Sequence, residues 1–172
     1  MIVFKSVFCF TQLMEFNANT YSLLKIFTER ASWFEVFIHE PVTTSIDASK
    51  IRHGYGLSQG AKALVLKAGD RFLMVVVPGD KKINNAVLKS VLGVKEIRFA
   101  TPEEVTLVTN GILIGGVPPF GSYFKLKTYV DATVLENEKI IFNCADRSVS
   151  VALKSSDYMQ IEQPEIVNVV IS

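Results

Sequence analysis

Apolar residues recur along this chain with two different spacings, one typical of helices and one typical of strands. Positions that repeat every three or four residues behind a capping residue predict helices. The predicted helices are residues 20–31, a segment that runs toward residue 53 from caps at 43–45, and residues 84–92, 102–109 and 155–160. Runs of β-branched and aromatic residues predict strands at 33–38, 63–67, 72–77, 94–99, 123–127, 139–144 and 148–153.

A hairpin is the strongest element that the pattern predicts. The apolar runs 63–67 and 72–77 flank the turn residues Ala68, Gly69 and Asp70. Because the second run is continuously apolar, we expect a strand that is covered on both faces by other elements. Strands and helices that mix without strict alternation predict an α/β fold of the α+β type, with a mixed sheet wrapped by helices.

The composition is that of one ordinary domain with a substantial core. The chain has 172 residues, of which 49% are hydrophobic and 20% charged. Neither an internal repeat nor a linker is visible, so residues 1–172 are expected to form a single domain. The 18 Lys and Arg residues exceed the 17 Asp and Glu residues by one, so any contact with a polyanion has to be local, and DNA is not an expected partner.

The two cysteines and the apolar N-terminus exclude several classes of protein. Cys9 and Cys144 lie far apart and lack the Cys or His neighbours of a zinc site, so neither a metal nor a disulfide is expected. The opening MIVFKSVFCF is interrupted by Lys5 and is too short to span a bilayer, and no cleavage site follows it. We interpret it as an additional strand or packing segment, and a reduced, cytoplasmic setting without membrane contact is the expectation.

The sequence GGVPPFG predicts a rigid loop whose backbone can approach another molecule closely, because glycines surround two prolines. Its free N–H groups can form a concave donor surface for a carboxyl, ester or phosphate oxygen. The donors are Gly115, Gly116, Val117, Phe120 and Gly121. Loops of this composition are more often ordinary turns, which is the interpretation that the pattern alone favours.

Lys62 is the second feature with chemical potential. It begins an apolar strand, and period-two alternation places it on the same face as Leu64 and Leu66. One interpretation is that its stem covers the end of the strand while the ammonium reaches water. The other is a point charge aimed at a substrate phosphate or carbonyl. The residues alone leave both open.

Other combinations of reactive residues do not form a recognised site. Glu103 and Glu104 lie at the start of a helix, where the helix dipole explains them better than paired acid and base chemistry. Ser122 lacks the Gly-x-Ser-x-Gly elbow, and the chain has only His39 and His53 as bases, so a serine hydrolase is not expected. A Walker loop is absent as well.

Four segments together resemble the YbaK-type prolyl-tRNA editing family. They are FIHEPVTT before Ser45, AKALVLK around Lys62, GGVPPFG, and CADRSVSVAL from Cys144. The resemblance covers residues 20–158 and leaves residues 1–19 as an N-terminal extension. It implies one domain with a partly barrel-like mixed sheet. It also implies a free-standing trans-editing deacylase, without metal or cofactor, that hydrolyses the ester joining a wrong small amino acid to tRNA.

The same resemblance implies roles for individual residues. Lys62 matches the family lysine, and Gly115 and Gly116 belong to the loop to which catalysis is assigned. The implied substrate-binding residues are His39, Thr44, Val117, Pro118, Pro119, Phe120, Gly121, Ser122 and Arg147. This chain departs from many relatives at two places. Ala145 and Asp146 precede Arg147 where a glycine is common, and Ser122 stands where close relatives often carry His.

The implied partners are the acceptor end of aminoacyl-tRNA and, as a further expectation, prolyl-tRNA synthetase. Water is the expected nucleophile, backbone donors of the loop stabilise the oxyanion, and Lys62 binds either a phosphate or the ester carbonyl. Alanine, cysteine or serine on proline tRNA is the expected substrate. Two alternatives stay open, namely a module that binds aminoacyl ends without catalysis and a module that docks on a synthetase.

Overall fold

The computed structural model describes residues 2–5 and 16–171. Within these residues the chain forms nine strands and five α-helices. The strands are β1 (Ile2–Lys5), β2 (Phe34–Ile38), β3 (Ala61–Ala68), β4 (Arg71–Pro78), β5 (Arg98–Phe99), β6 (Lys127–Asp131), β7 (Lys139–Asp146), β8 (Val149–Lys154) and β9 (Glu165–Val167). The helices are α1 (Ala18–Glu29), α2 (Ser45–Ile51), α3 (Asn85–Leu92), α4 (Pro102–Val108) and α5 (Ser155–Glu162).

The strands form two sheets. One is antiparallel with the order β1-β2-β8-β7. The other has the order β5-β3-β4-β6-β9, in which β6 lies parallel to both β4 and β9. A single bridge between Gly60 and Ile141 joins the two sheets. The mixed α/β fold expected from the pattern is confirmed, but the sheets do not close into a barrel.

The predicted hairpin is confirmed in full. Strands β3 and β4 pair antiparallel from Ala61–Pro78 to Ala68–Arg71. One face of this hairpin contributes Val65 and Met74 to a core shared with the other sheet. The opposite face contributes Leu66 and Val75 to a second cluster under α3. The hairpin is therefore covered on both sides, as its continuous apolar character predicts.

The helix starts follow ordinary capping chemistry. Helix α1 begins two residues before the predicted start at residue 20, because the Asn17 side chain caps it by accepting from the Thr20 N–H at 2.9 Å. Thr44 caps α2 by accepting from the Asp47 N–H at 3.1 Å. The cap of α2 fixes the backbone that leads into the site described below.

Two predicted strands were wrong in position. Residues 121–124 form a 3₁₀ turn, and Lys125 then adopts a left-handed φ of 61° that ends it. The strand begins only at Lys127, where it can pair in parallel with β4. The predicted strand 94–99 shrinks to Arg98 and Phe99. A parallel partner that is distant in sequence leaves no local signal, so β6 and β9 could not be located from the pattern.

The N-terminal segment adds an edge strand, since β1 pairs antiparallel with β2. Cys9 and the rest of the opening run lie outside the described residues. Cys144 is fully buried, and burial raises the pKa of its thiol, which keeps it in the unreactive protonated form. No helix in the described ranges has both the length and the apolar character needed to cross a membrane.

Candidate active site

A cleft of about 270 Å³ opens where α2, the start of β3 and the turn after α4 come together. Its lining includes two cationic side chains, Lys62 and Arg52. Three hydroxyl residues at 43–45 and the backbone of Gly115 also line it. Among the described residues, the lining contains no Asp, Glu, His or Cys. The cleft is therefore suited to an oxygen-rich or anionic ligand, and its described lining supplies no carboxylate, imidazole or thiol for acid, base or nucleophilic chemistry.

Lys62 is half-buried in the wall of this cleft. Its Nζ donates to the backbone carbonyl of Lys81 at 2.9 Å. Burial is the main cause that lowers its pKa, the charge of Lys82 adds to it, and Asp80 acts in the opposite direction. In the described part of the chain, no carboxylate lies within 4.0 Å of the ammonium. The ammonium therefore keeps donor capacity and charge for a ligand.

The turn at Gly115 is shaped by close contact with another loop. The Gly116 N–H donates to Leu113 O at 2.9 Å, and Gly115 has a φ of 89°. A Cβ at Gly115 would lie 3.3 Å from Thr43 O, so the turn requires glycine. Gly115 and Val117 line the cleft, and their N–H groups have no protein acceptor among the residues that the structure describes. Gly116 lies outside the cleft lining, against Ile112.

The second half of the glycine and proline loop turns into the protein. Pro118 and Pro119 are buried, and Phe120 is 1% exposed, with its ring centroid 5.5 Å from that of Phe142. Gly121 packs against β6, and the Ser122 N–H and hydroxyl donate to the Glu162 carboxylate at 3.0 and 2.5 Å. None of these five residues lines the cleft, so their contact with substrate stays a prediction while their visible role is to anchor the loop.

His39 and Arg147 lie behind the cleft. The Nδ1 atom of His39 lies 2.8 Å from Glu40 O, and its Nε2 lies 2.7 Å from the Ser150 hydroxyl. A carbonyl can only accept, so Nδ1 carries a proton, and Nε2 lies against the Ser150 hydroxyl. Arg147 donates from Nε and Nη2 to Ile114 O at 2.8 and 2.5 Å. It therefore holds the turn that places Gly115.

Ala145 keeps the turn shape that a glycine would give. Its φ is 60°, in the left-handed region that usually favours glycine. Asn17 Nδ2 donates to Ala145 O at 3.1 Å, and the Asp146 carboxylate accepts from the Ser148 N–H at 2.8 Å. These contacts hold the turn in this conformation despite the Cβ of Ala145.

Sequence reasoning missed two residues of the site. Arg52 caps the end of α2 and is only 7% exposed, yet it is one of the residues that line the cleft. It donates from Nη2 to Asn143 Oδ1 at 2.7 Å, and Asn143 Nδ2 donates to Gly115 O at 2.6 Å. The available signal was the polar Asn143 within the otherwise apolar run of β7. Arg52 lies at the end of a short polar helix, in which hydrophobic periodicity does not identify a residue of the site.

His39 gives a pH-dependent prediction. Burial is the main cause that lowers its pKa below 6.5, and the positive charge of Arg52 adds to it. The unfolded chain therefore takes up this proton before the folded protein does. The stability that neutral His39 contributes is fully present above pH 6.5 and is lost as the pH falls from 6.5 toward the lower folded pKa.

We therefore expect the wild type to lose more unfolding free energy than the variant His39→Gln when the pH falls from about 7.5 to about 5.5. Urea titrations of both proteins across this range measure the difference. The remaining titratable groups are present in both proteins, so their contributions to the free energy of unfolding cancel in the comparison. Parallel stability curves for the two proteins would show that His39 is not coupled to folding in this way.

Comparisons with known proteins identify the family of this chain. The sequence profile described as "Aminoacyl-tRNA editing domain" matches residues 39–161. A curated relative, the multifunctional Ser/Thr-tRNA deacylase ProXp-y of Escherichia coli (strain K12), is 33% identical over 163 residues, which cover 92% of this chain and 96% of the relative. A proline–tRNA ligase of Bacillus licheniformis is 31% identical over 97 residues, covering 56% of this chain and 17% of the ligase.

A solved structure shows the same fold. It is that of a candidate trans-editing enzyme for prolyl-tRNA synthetase, with a TM-score of 0.79 and 20% identity. The match covers 92% of this chain and 100% of that one. The matching profile and the curated relative confirm the family resemblance given by the sequence motifs.

Proposed function

Because this chain belongs to the aminoacyl-tRNA editing domain family, we propose that it is a free-standing deacylase that hydrolyses the ester between a small amino acid and tRNA. Water is the nucleophile, and the acceptor end of the charged tRNA is the partner that enters the cleft. The match over 96% of the length of ProXp-y supports a protein that acts without an attached synthetase. Charged tRNA is a cytoplasmic molecule, so we place the reaction in the cytoplasm.

The observation that carries this proposal is the donor set of the cleft. Two cations, Gly115 and Val117 line a space that has no acidic side chain from the described residues, and the N–H groups of Gly115 and Val117 have no protein acceptor among those residues. An aminoacyl ester is intrinsically labile, so stabilising the oxyanion and positioning water suffices for catalysis. Each preorganised donor contributes roughly 3 kcal/mol to lowering the barrier. Such a cleft has no need of the serine or histidine nucleophile chemistry that the sequence also lacks.

We propose that the cleft takes small amino acids. A volume of about 270 Å³ holds a small side chain together with part of a ribose. The hydroxyl groups of Thr43, Thr44 and Ser45 give the lining a polar character. We propose alanine, cysteine and serine as substrates, and we add threonine because ProXp-y is named for serine and threonine. The similarity to part of a proline–tRNA ligase supports proline tRNA and a prolyl-tRNA synthetase as partners.

Editing of this kind has a physical rationale. A synthetase pocket cannot strongly reject an amino acid that is smaller than its own, because a missing methylene changes binding by only about 1–3 kcal/mol. A second site that admits small side chains and hydrolyses their esters removes these errors. The narrow, cationic cleft is the second sieve in this scheme.

A panel of charged tRNAs tests the proposal. We expect the protein to accelerate release of at least one small amino acid from tRNA charged with alanine, cysteine, serine or threonine, and to spare prolyl-tRNA. Release of radiolabelled amino acid is measured against the spontaneous rate without protein. Binding of charged tRNA without accelerated release would instead support a non-catalytic binding module. Co-purification with a synthetase and no effect on any charged tRNA would support a docking module.

A further inference from the structure

We propose that Arg52 is a catalytic residue of this cleft, which donates a hydrogen bond to the ester carbonyl oxygen and stabilises its negative charge in the transition state. The inference rests on the proposed deacylase function and goes beyond it, because neither motif nor profile singles out this side chain. It also separates the roles of the two cations, assigning the carbonyl to Arg52 and the tRNA phosphate to Lys62.

The first support is the burial of an uncompensated charge. Arg52 is 7% exposed, and no carboxylate in the described part of the chain lies within 4.0 Å of its guanidinium. Burial lowers its pKa to about 10, so the group keeps its charge at neutral pH. Buried cations are normally paired with an acid or a bound anion. Here the missing negative charge can be supplied by the reacting ester.

The second support is that the guanidinium is held rigidly. Nε donates to the Ser150 hydroxyl at 3.0 Å and Nη2 donates to Asn143 Oδ1 at 2.7 Å. His39 lies against the same hydroxyl, 2.7 Å away. Nη1 has no protein acceptor within the described ranges, and the residue lines the cleft. A fixed donor that needs no reorganisation during the reaction is the arrangement that stabilises an oxyanion best.

The third support is the link between Arg52 and the Gly115 turn. Asn143 accepts from the guanidinium through Oδ1 and donates through Nδ2 to Gly115 O at 2.6 Å. One amide side chain therefore fixes the distance between the cation and the turn that carries the free N–H groups of Gly115 and Val117. These donors lie around the same space, as an oxyanion site requires.

Depth in the cleft separates Arg52 from Lys62. The tRNA body stays outside, so its phosphates lie at the mouth while the aminoacyl group enters. Lys62 is the more exposed of the two cations, and the basic residues Lys81 and Lys82 adjoin it through the contact with Lys81 O. Arg52 is the more buried. Lys62 is therefore placed to bind a phosphate, and Arg52 is placed to bind the ester carbonyl.

The reaction step balances without any further reactant. Water adds to the ester carbonyl carbon, and the carbonyl electron pair moves onto oxygen, where Arg52 donates its hydrogen bond. The intermediate collapses, the bond from carbon to the ribose oxygen breaks, and that oxygen takes the proton released by the attacking water. The free amino acid and the tRNA hydroxyl leave, and Arg52 is unchanged.

The test compares Arg52→Gln and Arg52→Lys with the wild type, using the best substrate of the charged tRNA panel. We expect kcat to fall about 10²-fold in Arg52→Gln, while KM changes less than about threefold. In Arg52→Lys we expect a fall of about 10-fold, because lysine keeps the charge but lacks the several N–H donors of the guanidinium. Lys50→Gln, an exposed change on the same helix, is the matched control with wild-type kcat. Thermal unfolding shows whether each variant is folded. If Arg52→Gln does not fold, the kcat of Arg52→Lys provides the test.

A rise in KM at unchanged kcat would overturn the proposal, because Arg52 would then anchor phosphate or another unreactive part of the substrate. Wild-type kcat in both folded variants would overturn it as well. A change confined to the preference between serine and alanine would make Arg52 a side-chain reader and contradict the carbonyl contact. Absence of turnover by the wild-type protein would refute the deacylase function itself, which distinguishes that failure from a failure of Arg52 alone.

Discussion

Replacing Lys62 with alanine is expected to lower kcat/KM for aminoacyl-tRNA deacylation about 10³-fold, since removing one side of a partly buried charge contact costs about 4 kcal/mol. The ammonium has one protein contact, with Lys81 O, and no acidic partner within 4.0 Å in the described part of the chain. Its charge is therefore available to the substrate. Release of labelled amino acid from charged tRNA under single-turnover conditions measures the effect.

The same variant is expected to fold normally, because the wild-type contact with the Lys81 carbonyl is a single hydrogen bond. Lys67→Ala is the matched control on the same strand. Lys67 lies near the other end of β3, 3.3 Å from Glu104 and outside the cleft lining, so its loss is expected to leave turnover unchanged. Full activity of Lys62→Ala, or equal losses in the two variants, would contradict a specific role for Lys62.

Local patterns predicted much of the fold. The hairpin of β3 and β4, the cap Thr44 before α2 and the glycine that ends α3 all depend on residues close in sequence. Neighbouring residues fix such elements through periodicity, capping and turn chemistry. The same local character let the sequence pick out Lys62 and Gly115, which the structure places in the lining of one cleft.

Contacts between distant residues set the limit of that reasoning. Arg52 and Asn143 are separated by 91 positions, and their hydrogen bond forms only when the end of α2 packs against β7. Parallel pairing of β6 with β4 likewise leaves no local signature. For Phe120 the family resemblance implied contact with substrate, and the structure places its ring in the core against Tyr158. Loop chemistry predicts a turn but not which side chains point inward.

A buried carboxylate explains why the second half of the loop is structural. Glu162 on α5 accepts from the Ser122 N–H, the Ser122 hydroxyl and the Thr128 hydroxyl. Burial raises its pKa, while these donors act in the opposite direction. The carboxyl ties the loop to both α5 and β6, so Gly121 is enclosed at the point where they converge. Ser122 therefore holds the loop in place through its hydrogen bonds to Glu162.

Gly121→Ala is expected to destabilise the protein by about 3 kcal/mol or more and to lower its melting temperature by about 10 °C. An added Cβ would overlap Thr128 Oγ1 and would lie 3.0 Å from Leu126 O and 3.2 Å from Met74 Cβ. Relief requires β4 or β6 to move, because one of these neighbours is backbone. Gly56→Ala is the control, since Gly56 has a φ of −83° and its Cβ would meet nothing nearer than 3.9 Å. Calorimetric melting temperatures within about 2 °C of each other for the two variants would show that the loop accommodates a side chain at Gly121 and is not fixed by the Glu162 contacts.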